Sequence, residues 1–231
     1  MYVGGSVTWL RISSDSIYKR ARDWLTGRQP NVVGMSDHLR FAMICASNVN
    51  RSVAAHMKLL EAGFSSDAVE SYGVGQAVKL PGEAVDSPNR YEFDAVAYQE
   101  ILDDLKAKNE SFYRSKGILD MLERDVTVKR GPNKWQSRNR TRDRFDIILT
   151  FEKRVFDVVV EDLSAGSGLA CAVINMEVTD TATEAVEAAP DAVMLCQAIR
   201  EAGEWEETIE DVLEEFTSKR DRSVEYEICY Q

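Results

Sequence analysis

Apolar residues form two kinds of run along this chain. Leu39–Cys45 (LRFAMIC), Phe145–Thr150 (FDIILT) and Leu169–Met176 (LACAVINM) are short and nearly continuous, as expected of strands buried on both faces of a parallel sheet. Val53–Phe64, with Gly63 as its C-cap, and Glu152–Leu163 instead carry apolar residues at helical spacing. With a second strand at Val69–Val74 the first helix completes a βαβ crossover. Residues 75–91 hold two Gly and two Pro and read as a surface loop. Phe93–Lys108 and Phe112–Glu123 are predicted as two amphipathic helices, with Gly117 a weak point in the second. Residues 181–218 are acidic and helical, with a kink or break expected at Pro190, and Val224–Tyr230 alternates like an edge strand. Alternating strands and helices predict a three-layer α/β/α fold on a mainly parallel central sheet.

Composition narrows the classes. At 231 residues and 44% hydrophobic, the chain can bury a sizeable core, and no apolar run is long enough to cross a bilayer. A net charge of −11 excludes a generally basic nucleic-acid binder, so direct nucleic-acid binding is not expected. Lys129–Arg144, with seven basic residues and one acid, reads as a solvated connection. Four cysteines without a CxxC pair, and two histidines, exclude a disulfide scaffold or zinc finger and fit a reducing cytosolic or nuclear compartment. Cys171, Cys196 and Cys229 lie in apolar contexts and are expected in the core. The first residues lack the apolar stretch of a signal peptide; 1–37 are expected to be a poorly ordered extension on a domain spanning 38–231.

The candidate chemistry sits in Cys45-Ala46-Ser47-Asn48-Val49-Asn50-Arg51-Ser52, where a cysteine ends a strand and an Arg-Ser pair opens a helix five residues later. Backbone amides of such a loop can converge on an anion, helped by about half a positive charge at the helix N-terminus. Arg51 can grip two phosphate oxygens with its planar fork. The same field favours a thiolate at Cys45, an in-line nucleophile that would form a cysteinyl-phosphate. Ser52 would ease departure of the sulfur, and Asn48 and Asn50 tolerate left-handed backbone. The bland alternative is a structural cysteine at a strand end beside a solvated arginine. Ester cleavage also needs an acid, expected in a loop after a later parallel strand. The loop after Met176 offers Glu177 and Asp180, either of which could equally be a helix cap. The phosphoryl chemistry proposed here needs no metal or other cofactor.

Several separated segments share one likeness: CASNVNRS, VKLPG at Val78–Gly82, GILDMLERD at Gly117–Asp125, FDIILTFEKRVFDVVVEDL at Phe145–Leu163, and the terminal ICYQ. Together, from about Leu39 to Gln231, they resemble the eukaryotic phosphatases that act on phosphoserine in the heptad repeats of the RNA polymerase II carboxy-terminal domain. The resemblance implies a low-molecular-weight-phosphatase-like fold with an inserted helical cap. It makes Cys45 the nucleophile, Arg51 the phosphate clamp, Ser52 the loop serine and Asp180 the general acid, with Ala46, Ser47, Asn48, Val49 and Asn50 as the phosphate loop. It further implies a substrate-side loop at Lys79, Leu80 and Pro81, and a cap over the peptide bearing Tyr113 and Met121.

In that family the substrate is a phosphoserine-proline bond in the cis form, the fifth heptad serine being favoured and the seventh secondary. Cis X-Pro is only ~10–30% populated in disordered peptides, so a prolyl isomerase would act indirectly as a supplier. A symplekin-like scaffold of the cleavage and polyadenylation complex is the implied partner, transcription termination and mRNA 3′-end processing the implied setting, and the nucleus, secondarily the cytoplasm, the implied location. Rival readings are a low-molecular-weight tyrosine phosphatase or arsenate reductase on the same fold, or an inactive docking component of the processing complex. The VTDTAT segment has no tyrosine beside Asp180, and no relay of redox cysteines is visible.

Overall fold

The computed structural model describes residues 39–231 apart from Val85 and Asp221; the extension expected over 1–37 lies outside the described residues. Five strands form the central sheet: β1 (Phe41–Cys45), β2 (Val69–Gly73), β5 (Ile147–Thr150), β6 (Ala170–Met176) and β7 (Val224–Tyr230), in the order β2-β1-β5-β6-β7. The first four run parallel, and β7 closes one edge antiparallel to β6. The apolar runs are continuous because both faces are covered. Phe41 and Met43 face one layer with Ile147, Leu149, Ala172 and Ile174, whereas Ala42 and Ile44 face the other with Ile148, Cys171 and Val173.

Helices α1 (Arg51–Glu61), α5 (Ala182–Ala202) and α6 (Trp205–Lys219) cover the first face, and α4 (Lys153–Leu163) covers the second. The expected three-layer α/β/α arrangement is what the chain adopts. Cys171, Cys196 and Cys229 are buried within it, and all four cysteines are free.

Five local expectations are corrected. Residues 75–91 are not simply loop: β3 (Val78–Leu80) pairs antiparallel with β4 (Asn89–Tyr91), because Val78 and Leu80 bury alternate side chains. The helix expected from Phe93 starts at Tyr98 and runs as α2 (Tyr98–Ser115), since Asp94 takes φ 63° and Glu100 bonds back to the Ala97 amide at 2.7 Å. The expected gap between the two helices shrinks to one non-helical residue, Asn109, whose side chain accepts from the Phe112 amide. Gly117, at φ 71°, is the N-cap of α3 (Ile118–Val128) rather than a weak point inside a helix. Pro190 does not interrupt α5. Burial of Ala185, Ala188, Ala189 and Ala192 offsets the lost hydrogen bond, and the break falls at Gly203, φ 83°.

The basic stretch 129–144 is also less solvated than its composition implies. Trp135 is fully buried, and Arg138 stacks 3.3 Å from its ring centroid while pairing with Asp162 at 3.0 Å. Arg140 and Arg142 pair with Asp162 and Asp143. The run is largely consumed by internal ion pairs.

The helical hairpin α2–α3 and the β3–β4 ribbon form a cap with its own apolar cluster. Tyr98, Ile101, Leu105, Leu119 and Leu122 pack there with Val49 and Val53, which belong to the first crossover. The cap is therefore continuous with the carboxyl end of β1.

His56 on α1 is buried with its Nδ1 3.1 Å from the Ser71 hydroxyl. Burial, aided by Lys129, pushes its imidazole down to about 4 from 6.5. The unfolded chain therefore takes up a proton between about pH 6.5 and 4 that the folded chain refuses, so stability present above pH 6.5 falls as the pH drops to 4. From those values the loss is about 3 kcal/mol. Urea unfolding of His56→Gln across this window is expected to show a flatter acid limb than the parent chain.

Candidate active site

The end of β1 and the start of α1 are joined by residues 46–50. Asn48 takes the left-handed conformation expected of it, φ 51°, but Asn50 does not, with φ −96°. Four of the five carbonyls of this turn, and that of Cys45 before it, accept from partners in the protein. Cys45 O accepts from the Val74 amide at 3.1 Å and Ala46 O from Gly75 at 2.9 Å. A Cβ on Gly73 or Gly75 would lie 2.9 Å from Ala46 O, so the neighbouring chain must be glycine to come this close. Asn48 O accepts from the Tyr98 hydroxyl at 2.5 Å, Val49 O from Arg124 Nη2 at 2.7 Å, and Asn50 O from the Ala54 amide at 3.0 Å and Arg124 Nη2 at 3.2 Å.

Among the described residues, the amides of 46–50 donate to no protein group. Asn48 and Val49 are almost wholly buried. A row of donors without acceptors, two of them on buried residues and all at the head of an 11-residue helix, is an arrangement that suits an anion.

Cys45 stands at the floor of this turn, its Sγ 3.0 Å from Ser52 Oγ. Ser52 is held in place by its neighbours. The Asn133 amide donates to Asn48 Oδ1 at 2.9 Å, which fixes the Asn48 side chain so that Nδ2 donates to Ser52 Oγ at 3.1 Å. Asn48 fills only one of the two acceptor positions of Ser52, and the Ser52 hydrogen can reach the sulfur when Cys45 carries no proton to donate.

Arg51 is buried, and three of its five donors make hydrogen bonds within the protein. Nη1 donates to the carbonyls of Phe151 (3.1 Å) and Val178 (2.9 Å); Nη2 donates to Glu152 Oε2 at 2.7 Å and lies 3.3 Å from Asp180 Oδ2. Nε has no partner in the protein. Burial opposes the charge, but the Cys45 sulfur, Asp180 and Glu152 outweigh it and hold the guanidinium above its usual value. The fork expected to be open to an anion is thus largely held by the protein. Nε is buried and unpartnered, and the Asp180 contact is the longer of the two on Nη2.

The two acids after β6 part company. Glu177 turns away to accept from the Lys153 amide at 3.1 Å, capping α4. Asp180 faces the loop, accepting from Asn50 Nδ2 at 2.9 Å. A cavity of about 700 Å³ opens above Cys45, lined on one side by Lys79, Leu80 and Pro81, on another by Ile118 and Met121, and by Asp180. Tyr113 is not in its wall. It is buried behind the ribbon, its hydroxyl accepting from Asn89 Nδ2, which also donates to Pro81 O at 2.9 Å. Tyr113 therefore braces the segment of Lys79, Leu80 and Pro81 from behind, through Asn89.

Sequence reasoning missed Glu152, the partner of Arg51, which reads as an ordinary first-turn acid. It missed Tyr98 and Arg124, which lie 50 and 75 residues from the carbonyls they hold. The side chain of Asn48 was also missed, its backbone preference being the only signal available.

Comparisons with known proteins agree on a relationship. A family model described as Ssu72-like protein matches residues 39–231. The RNA polymerase II C-terminal domain phosphatases SSU72 of Homo sapiens and Bos taurus are each 40% identical over 198 residues, covering 84% of this chain and 98% of theirs. The Dictyostelium discoideum relative is 39% identical over 188 residues, covering 79% of this chain and 86% of its own. Among solved structures, Drosophila melanogaster Ssu72 with symplekin superposes with a TM-score of 0.77 at 33% identity. That protein is bound to a cis peptidomimetic of the C-terminal domain phosphorylated on the fifth-position serine, and the match covers 84% of this chain and 98% of the other. A second Drosophila melanogaster structure, described as the serine phosphatase of the RNA polymerase II C-terminal domain, gives 0.77 at 35% identity, covering 84% of this chain and all of that one.

Burial pushes the Cys171 thiol up to about 12 and those of Cys196 and Cys229 upward as well. Iodoacetamide applied to the folded protein should therefore alkylate Cys45, which opens to the cavity, ahead of the other three. Inorganic phosphate should slow that labelling, as read by peptide mass mapping.

Proposed function

The chain belongs to the Ssu72-like family, and from that premise we propose that it is a cysteine-dependent phosphatase of phosphoserine-proline sites in the RNA polymerase II heptad repeats. The fifth-position serine, presented before a cis proline, is the favoured substrate, as in the peptidomimetic complex of its Drosophila melanogaster relative. The observation that carries the reading is the row of unpartnered amides over residues 46–50 above the Cys45 sulfur.

The geometry supports a two-step reaction. Phosphate oxygens settle on the amides and on Arg51 Nε, and compete with Asp180 for Nη2. Asp180, loosened from Arg51, is the acid that faces the scissile oxygen. Cys45 attacks phosphorus in line as the thiolate; the phosphorus–serine oxygen bond breaks, and that oxygen takes the Asp180 proton. Water then attacks the cysteinyl-phosphate, yielding its proton to the Asp180 carboxylate, and the sulfur leaves as a thiolate steadied by the Ser52 hydroxyl. The walls built by Leu80, Pro81, Ile118 and Met121 suit a proline ring next to the phosphoserine. Lys79, on the rim, suits an anionic peptide.

The setting follows from the relatives' chemistry: a nuclear role in transcription termination and mRNA 3′-end processing, with a symplekin-like scaffold as partner. A prolyl isomerase would replenish the cis form.

The test is hydrolysis of a heptad peptide phosphorylated at the fifth serine, a phosphotyrosine peptide, and p-nitrophenyl phosphate. The parent chain should favour the phosphoserine-proline peptide. Cys45→Ser should abolish turnover. Asp180→Asn should slow the serine ester by about 10²–10⁴-fold and p-nitrophenyl phosphate far less, because nitrophenolate leaves without a proton. Undiminished turnover by Cys45→Ser would end the proposal.

A further inference from the structure

The cap has a second connection to the chemistry besides the cavity wall. Three consecutive carbonyls of the loop, those of Asn48, Val49 and Asn50, are held by two cap side chains: Tyr98 on α2 and Arg124 on α3. Arg124 is itself aimed by its neighbour. Asp125 is buried and accepts from Arg124 Nε at 2.9 Å and Nη2 at 2.6 Å. Burial raises the Asp125 carboxyl to about 8 against the pull of Arg124 and Lys129, so the acid is retained at a cost that its contact with Arg124 helps offset.

We propose that Tyr98 and Arg124 are positioning residues for phosphoryl transfer, fixing three loop carbonyls outward so that the amides between them converge on the anion. A peptide plane carries its N–H and C=O on opposite sides. Holding the oxygen of Asn48, Val49 and Asn50 therefore orients the amide of the residue that follows each. The inference rests on the phosphatase reading of the loop. It adds that the cap governs chemistry even on a substrate too small to touch it.

The experiment uses the full chain with Tyr98→Phe, Arg124→Lys and Arg124→Gln, each checked by thermal melting. Two readouts are taken: kcat and KM on p-nitrophenyl phosphate, and the dissociation constant of inorganic phosphate by titration calorimetry. Tyr98→Phe keeps the ring and its packing, so it remains informative even where Arg124→Gln leaves Asp125 unpaired and fails to fold. Because displacements of about 1 Å at a reacting centre cost on the order of 10²-fold, Arg124→Gln should lower kcat by about 10²-fold and Tyr98→Phe by about 10-fold. Phosphate should bind correspondingly more weakly in both. Arg124→Lys, which restores a charged donor, should recover part of the loss.

If these side chains only pack the cap, folded variants will bind phosphate and hydrolyse p-nitrophenyl phosphate like the parent, and the proposal is overturned. An inactive parent that binds phosphate would sink the phosphatase reading, while the phosphate affinities of the variants still decide the bracing. A parent that binds no phosphate ends both.

Discussion

The site depends on a constraint of the peptide unit. Its donor and acceptor lie on opposite sides, so a turn that points successive amides at one spot drives the carbonyls into the surrounding protein. A buried carbonyl left without a donor costs about 1–3 kcal/mol. The turn at residues 46–50 is therefore only as stable as the set of groups receiving its oxygens. Those groups come from separate parts of the chain: the segment after β2 through Val74 and Gly75, the first turn of α1 through Ala54, and the cap through Tyr98 and Arg124. The sheet order that places β2 beside β1, and the cap that grows out of the loop after β4, are thus conditions for the anion site.

Electrostatics at the same place is a matter of local dipoles and one cation. The whole chain carries −11, and Arg51 already faces the sulfur, Glu152 and Asp180. The long-range field of the protein does not favour a phosphate here. What favours it is short-ranged: amide dipoles, a helix terminus, and a buried guanidinium whose charge is secured by its neighbours. Glu152 is the more buried of the two carboxylates on Arg51 and holds the closer contact; Asp180 is the more exposed and holds the looser one. That asymmetry separates a structural partner from a group free to exchange protons.

Much of this is legible in the sequence where the signal is local. Strands β1, β5 and β6 announce themselves as apolar runs because both faces are covered. The cysteine-to-arginine spacing marks the loop because five residues are what the turn spans. Signals that depend on packing are not legible. Pro190 looks like a helix break until its alanine-rich face is seen against α1, and Gly203 supplies the break. Trp135 and Arg138 look like a solvated basic connection until they stack on one another. By position alone Glu177 and Asp180 are equal candidates, only the family resemblance favours Asp180, and the start of α4 takes Glu177 as its cap while Asp180 faces the loop. Arg124 could not be linked to Val49 by any pattern, since the link exists only once α3 folds back over the loop.

The cap therefore has two parts with different obligations. Tyr98, near the start of α2, and Arg124, within α3, are bound to the loop, and any movement of either takes loop carbonyls with it. Between them Asn109 leaves helical geometry and Gly117 sits in the left-handed region, bracketing a stretch that brings Phe112 and Lys116 to the cavity and holds no loop carbonyl. A displacement confined to the stretch between those two residues would move neither side chain that holds a loop carbonyl. The backbone breaks of this inserted element thus lie between the two residues that hold the loop rather than at either one, so the hold on the loop and the cavity wall are carried by separate stretches of chain.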